Sequence, residues 1–318
     1  MNYLSIDNIS KAFSDKLLFE NISFGIEKGE KTALVAANGT GKSTMMKILV
    51  GKEESDKGTI SYNENIRIGY LEQLPQFDPE LTIQEVISTG HTDIMAVIQR
   101  YENALLNHVD DNNTSTKKEL EQAIAQMDGL QAWSYEQRLK QLLYTFEITD
   151  LTQKVGTLSG GQVKRLALAL VLLDDPDILF LDEPTNHLDM DIIEFLEDYL
   201  KKSRCTLFMV THDRYFLDRV CNTILELDGG ELYTYKGNYS YFLEKRDERI
   251  ANTAAEVTKA KNLLRRELEW IRSTPCARTG KAKYRIDAFY DLKDRASVSL
   301  ARKDLSIDVA TSRLGGKI

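Results

Sequence analysis

The chain has 318 residues, 42% apolar and 28% charged, which excludes a disordered or fibrous polypeptide and leaves room for a sizeable core with an appended element. Its longest strongly apolar run, LALALVLL at 166–173, is far short of the ~20 residues a membrane span needs, so no integral membrane segment is expected. The net charge of −8 is uneven: residues 241–303 carry 16 Lys and Arg against 9 Asp and Glu, a net of +7 that leaves −15 on the rest.

The opening MNYLSIDNIS has no basic or apolar leader character, so no signal peptide is expected. Cys205, Cys221 and Cys276 are an odd number without ligand spacing, which points to reduced thiols in the cytosol and to no zinc site. Residues 1–35 alternate short β-like runs (YLSIDNIS, NISFGI, KTALVA) with turns, and KSTMMKILVG reads as a helix ending at Gly51. GTISYNENIRIGYLEQ reads as a hairpin followed by a loop. From about 83 to 157 the pattern is an insertion, helical as far as about 146 with a polar joint at NHVDDNNTSTK. Helix GQVKRLALALVLLDD, strand DILFLDEP, helix DIIEFLEDYLKK and strand CTLFMVTHD then alternate, which argues an α/β fold with a parallel, doubly covered sheet. TILELDGGELYTYKG closes this part as a hairpin.

Beyond Gly237 no Pro or Gly occurs from Asn238 to Thr274, and Ile250, Val257, Leu264 and Ile271 fall at heptad spacing. A helix of that extent is about 50 Å long at ~1.5 Å per residue. STPCARTGK breaks it, and AKYRIDAFYDLKDRASVSLARK can return with Ile286, Phe289 and Leu292 inward. The expectation is an antiparallel helical hairpin over 241–303 with a basic tip.

NGTGKST (38–44) lies between a strand and a helix, where glycines let backbone N–H groups approach phosphates and the helix N-terminus adds positive potential. Asn38, Gly39, Thr40, Gly41, Lys42, Ser43 and Thr44 form this loop. Lys42 would reach the β- and γ-phosphates and Ser43 would ligate Mg²⁺. The full phosphate-loop pattern begins with Gly, and here that position is Ala36. DILFLDEP ends in Asp182, placed for the Mg²⁺ shell, and Glu183, a candidate general base. His212 follows another buried strand, and ligands gather at the carboxyl ends of such strands. LSGGQ, with Ser159, Gly160, Gly161 and Gln162, is a second anion-seeking loop ahead of a second helix.

The order of the Lys42 loop, Gln73, LSGGQ, LDEP, Leu188-Asp189 and His212 resembles an ABC-type ATPase over nearly all of residues 1–237. The resemblance implies ATP and Mg²⁺ as cofactors, adenine stacking by Phe13, and Gln73 in both the catalytic and the Mg²⁺ set. It also implies that the signature loop completes a site on a second ABC domain, from the same parent chain or another copy. EPTNHLDMD, THDRYFLDRV, YKGNYSYFLEKR and the stretch 265–287 are similar to the ABC-F family, in wording closest to its Uup-like bacterial branch. That likeness implies an ABC domain over 1–240, a linker over 241–303, and a tail at 304–318 leading to a second ABC domain. It also implies a cytoplasmic ATPase acting as a ribosome-associated clamp. Arg265, Arg266, Trp270, Arg272, Arg278, Lys281, Lys283 and Arg285 are its candidate contacts with rRNA or tRNA. Three readings compete with this one: the ATPase subunit of a transporter, a DNA-handling ATPase, and a basic coiled coil that only spaces two domains.

Overall fold

The computed structural model describes residues 2–13, 16–90, 92–110, 113–130, 132–272, 289–290 and 293. Two long strands open the chain, β1 (Asn2–Phe13) and β2 (Lys16–Glu27), followed by β3 (Lys31–Ala36), α1 (Lys42–Leu49), β4 (Lys57–Tyr62) and β5 (Ile68–Leu71). A helical stretch follows: α2 (Ile83–Thr89), α3 (Thr92–Asp110), α4 (Thr114–Gly129) and α5 (Ala132–Thr145). Then come α6 (Gly160–Leu173), β6 (Ile178–Asp182), α7 (Met190–Lys202), β7 (Thr206–Val210) and α8 (Arg214–Val220). The hairpin of β8 (Thr223–Asp228) and β9 (Glu231–Lys236) leads into α9 (Tyr239–Arg272).

Six strands form one sheet in the order β5-β6-β7-β3-β8-β9, parallel except for β9. Its central strands are buried on both faces, and the period-two alternation of a strand assigns their side chains to two cores. Leu179 and Leu181, Leu207 and Met209, and Ala33 and Val35 pack on the core that includes α6, α7, α8 and the helical stretch. Their neighbours Ile178 and Phe180, Phe208 and Val210, and Leu34 and Ala36 pack on the core shared with β1, β2 and α1. The second face is therefore covered by a small antiparallel sheet of order β2-β1-β4 together with α1.

That sheet overturns one expectation. GTISYNENIRIGYLEQ is not a hairpin, because β4 pairs with β1 while β5 joins the large sheet beside β6. The cause is long-range: Arg67 N–H donates to Asp177 Oδ2 at 2.9 Å, and Asp177 N–H donates back to Arg67 O at 2.9 Å. This reciprocal pair holds the start of β5 beside β6 and away from β4.

The long helix predicted beyond Gly237 is present as α9, 34 residues from Tyr239 to Arg272. Its first turns are fastened to the large sheet. The carboxylate of Glu226, on β8 and 2% exposed, is 2.8 Å from Arg246 and 2.8 Å from Arg249 and accepts from Tyr235 Oη at 3.0 Å. Arg249 also pairs with Asp228 at 3.1 Å and lies 3.8 Å over the Tyr233 ring. A buried carboxylate is tolerable only when paired and hydrogen-bonded in this way. The basic tip and most of the predicted return arm lie outside the described residues.

Candidate functional site

β3 ends at Ala36 and hands the chain through a tight loop to α1. Gly39 and Gly41 adopt φ of 75° and 96°, the left-handed region that L-residues rarely enter, so glycine is required at both. Gly41 is the N-cap of α1 and supplies no side-chain cap, which leaves the first helical N–H groups facing the loop's mouth without side-chain acceptors. Thr40 Oγ1 donates to Ala37 O at 2.7 Å and stiffens the turn. Lys42 Nζ lies over it, donating to Ala36 O at 2.9 Å and to Ala37 O at 3.3 Å. Burial lowers its pKa, and the Glu183 and Asp182 carboxylates oppose that shift.

Opposite the loop stand the ends of β5, β6 and β7. Asp182 is 2% exposed, and its Oδ1 is buried without a hydrogen-bond partner. Burial raises its pKa against the pull of Ser43, Lys164 and Lys42. Glu183 follows at φ 49°, a strained value for a non-glycine residue, while its N–H donates to Val210 O at 2.8 Å. Its Oε2 accepts from His212 N–H at 3.3 Å, and His212 Nε2 is 3.4 Å from Oε1. Burial pushes the Glu183 carboxyl up to about 7, a value suited to general-base work near neutrality.

These groups share one cavity of about 680 Å³. Phe13, Asn38, Gly39, Gly41, Lys42, Ser43 and Thr44 line one side, and Gln73, Asp182, Glu183 and His212 the other. Phe13 is 61% exposed, an aromatic face left free at the cavity. Of the loop candidates only Thr40 does not line it.

The sequence reading missed two lysines. Lys16 lines the cavity and donates to Gly39 O at 2.8 Å. Lys164, inside VKRLALAL, is 2% exposed and donates to Glu72 O, Gln73 O and Asp182 O. Beside Arg165, at the polar start of the helix, nothing in the sequence marks Lys164 as buried. A larger groove of about 1150 Å³ lies away from these residues, and several of its charges pair with one another, as in Arg138 with Asp175 and Arg219 with Glu197.

Ser159, Gly160, Gly161 and Gln162 do not line the phosphate-loop cavity. Ser159 caps α6 through a reciprocal box: its Oγ accepts from Gln162 N–H at 3.3 Å, and Gln162 Oε1 accepts from Ser159 N–H at 2.9 Å. Arg165, one turn on, pairs with Glu147 at 2.6 Å and with Asp189. Among the candidate nucleic-acid contacts, Arg265 and Arg266 are exposed on α9. Trp270 and Arg272 occupy its last turn, and Arg278, Lys281, Lys283 and Arg285 lie outside the described residues.

Comparison with known proteins agrees with this geometry. The profile of the ABC transporter family matches residues 19–186, and a second profile, also described as ABC transporter, matches 225–308. The ATP-binding subunit of an ABC transporter superposes with a TM-score of 0.55 at 19% identity, covering 92% of this chain and 99% of that one. A dimeric ATP-binding cassette bound to ADP and Pi superposes with a TM-score of 0.51 at 23% identity, covering 73% of this chain and 98% of that one. The architecture is thus the ATP-binding-cassette fold.

Among relatives, an uncharacterized ABC transporter ATP-binding protein of Bacillus subtilis, YfmR, is 43% identical over 100% of this chain and 51% of its own length. The energy-dependent translational throttle protein EttA of Escherichia coli is 36% identical over 86% of this chain and 50% of its own. Its Mycobacterium tuberculosis counterpart is 33% identical over 92% and 52%. The chain belongs to the ABC ATPases and, within them, to the ABC-F family. It spans about half the length of the curated relatives it matches. No described helix is long and apolar enough to cross a membrane.

Proposed function

We propose that the cavity binds ATP with Mg²⁺ and cleaves its β–γ bond when a second ABC domain closes on it. The convergence of the Lys42 loop with Asp182, Glu183 and His212 carries this reading. Phe13 would stack on adenine, the backbone N–H groups around Gly39–Ser43 would hold the phosphates, and Lys42 would leave its loop carbonyls for the β/γ oxygens. Asp182 Oδ1, buried and unpartnered beside Ser43 and Gln73, fits a hard divalent cation that takes one or two carboxylates and keeps water and phosphate as its other ligands. Bound there, Mg²⁺ would neutralise charge on the phosphates. Glu183 would take the proton of the attacking water, with His212 holding the carboxylate in position. Ser159–Gln162 would complete the partner domain's site.

We further infer a ribosome-associated translation factor of the cytoplasm that works as an ATP-gated clamp. The observation behind it is α9, whose root is fixed by Glu226 at the register position of Val35, one residue before the end of the strand that feeds the phosphate loop. Motion at the loop thus has a short mechanical path to the helix carrying Arg265 and Arg266. The throttle name of the relatives at 33–36% identity supports the same partner. The test is co-pelleting of the full-length Glu183→Gln protein with ribosomes, with and without ATP. The matching change is made in any second ABC domain. ATP-dependent pelleting is expected. No pelleting, with branched DNA bound in competition, would move the reading to a DNA-handling ATPase.

A further inference from the structure

α6 is an apolar helix, and its buried neighbours Leu166, Leu168 and Leu172 do what such a helix requires. Lys164 does not fit that pattern. It is 2% exposed, yet none of its hydrogen bonds goes to a carboxylate. The ammonium spends its three protons on main-chain carbonyls: Glu72 O at 2.9 Å, Gln73 O at 3.0 Å and Asp182 O at 3.2 Å. A buried ammonium is costly, and a Met or Leu would pack α6 against its neighbours without that cost. The three acceptors lie where two paired strands run out at the cavity: Glu72 and Gln73 follow Leu71 of β5, and Asp182 follows its register partner Leu181 of β6. Lys164 itself stands two residues after Gln162.

We propose that Lys164 is a positioning residue for ATP hydrolysis, which fixes the main chain of Gln73 and Asp182 in one frame with the helix that carries Ser159–Gln162. The β5–β6 ladder sets the two segments side by side as far as Leu71 and Leu181, and the three directed donors tie their continuations to α6 as no apolar contact can, because van der Waals packing is non-directional and tolerates sliding. The side chains so placed are the ones that face the phosphate loop across the cavity. The same link makes the N-terminus of α6 and that cavity wall one body. An anion met at Ser159 therefore bears on the wall of the cavity in its own domain. Burial lowers the pKa of the Lys164 ammonium to about 8, and the nearby Asp182 and Glu183 carboxylates oppose that shift.

This inference rests on the cavity being the hydrolysis site, and the test separates the two. Lys164→Met removes charge and donors at similar length, and Lys164→Arg keeps both. Each is made in the full-length protein, with the matching residue of any second ABC domain changed alongside. Phosphate release gives kcat and KM, mant-ATP fluorescence gives nucleotide affinity, and Glu183→Gln serves as reference. For Lys164→Met, kcat is expected to fall about 10- to 100-fold while mant-ATP affinity stays within about threefold, the split of an interaction needed for turnover and not for binding. Lys164→Arg is expected to recover at least about a third of the parent rate, since it restores charge and directed donors. A parent-like kcat in Lys164→Met overturns the proposal, and so does a proportional loss of rate and affinity. If Lys164→Met does not fold, Lys164→Gln is read by the same criteria. Failure of both to fold makes the residue one of stability alone and also overturns it. Hydrolysis surviving in Glu183→Gln would instead remove the underlying reading of the cavity.

Discussion

The N-termini of α1 and α6 are capped in opposite ways. At α1 the cap is Gly41, left-handed and without a side-chain acceptor, so the first amides are not taken by side chains and Lys42 closes over its own carbonyls. At α6 the cap is Ser159, and Ser159 and Gln162 satisfy each other's backbone N–H groups. One terminus is held open beneath a cavity lined by Asp182, Glu183 and His212 of its own chain. The other has its Gln162 amide capped and is largely exposed, away from that cavity. The open terminus has no side-chain cap to break, although Lys42 must leave its carbonyls, whereas the Ser159–Gln162 box occupies one helix amide and stabilises α6 on its own.

The strongest way to break this contrast is at the carboxylate facing the open terminus. Glu183→Gln is expected to lower ATP turnover about 10²- to 10⁴-fold, the usual contribution of a general base, with nucleotide affinity retained. Phosphate release against mant-ATP binding measures it, and parent-like turnover would take the base away from Glu183. Its pH dependence follows from burial, which raises the carboxyl from the ordinary 4.5 to about 7. A base acts ionised, so kcat/KM for ATP should climb through about pH 7 and then level. Stability runs the other way. The folded state binds the extra proton between the two values, so folding loses stability as pH rises from about 4.5 to about 7. Glu183→Gln should therefore raise the melting midpoint at about pH 8 and change it little at about pH 4.

Next in size are substitutions that treat the two termini differently. Lys42→Met removes a charged donor from the open loop and should weaken ATP binding about 10- to 100-fold, from the ~1.5–3 kcal/mol of a hydrogen bond to a charged group. Ser159→Ala should leave ATP binding by the 318-residue chain within about twofold, since Ser159 does not line the cavity. It should cost about 1 kcal/mol of stability through the lost cap, read by urea denaturation. In the full-length protein it should also depress hydrolysis. If Ser159→Ala weakened ATP binding by the 318-residue chain as much as Lys42→Met, the division between the two termini would be wrong.

Much of this was legible because it is local. KTALVA, DILFLDEP and CTLFMVTHD are apolar runs too short for helices, and they became β3, β6 and β7, buried on both faces. The loop glycines, the LSGGQ run and the two carboxylates announce themselves by residue type at fixed spacing. What sequence could not show is pairing at a distance. The separation of β4 from β5 depends on Arg67 meeting Asp177, 110 residues away. Lys164 looks like a solvated helix residue until the carbonyls of Glu72 and Gln73 arrive from 92 and 91 residues upstream. Period and propensity carry no information on such contacts.

Ala36 gives the smallest effect and the sharpest check on what the open terminus requires. The phosphate-loop pattern has glycine there, which raises the question of whether a Cβ constrains the loop. In the structure Ala36 is the last residue of β3, paired in register with Leu227, 2% exposed and absent from the residues with positive φ. The left-handed turns fall later, at Gly39 and Gly41. A strand residue gains nothing from glycine's freedom and loses a packed methyl, so Ala36→Gly should destabilise by about 0.5–1 kcal/mol. Its carbonyl, the acceptor of Lys42 Nζ at 2.9 Å, is unchanged by the substitution. Affinity for mant-ATP should therefore stay within about twofold, because neither donor geometry nor charge at the loop changes. A clear gain in affinity would mean that the alanine restrains the loop after all, and that the open terminus begins one turn earlier than Gly39.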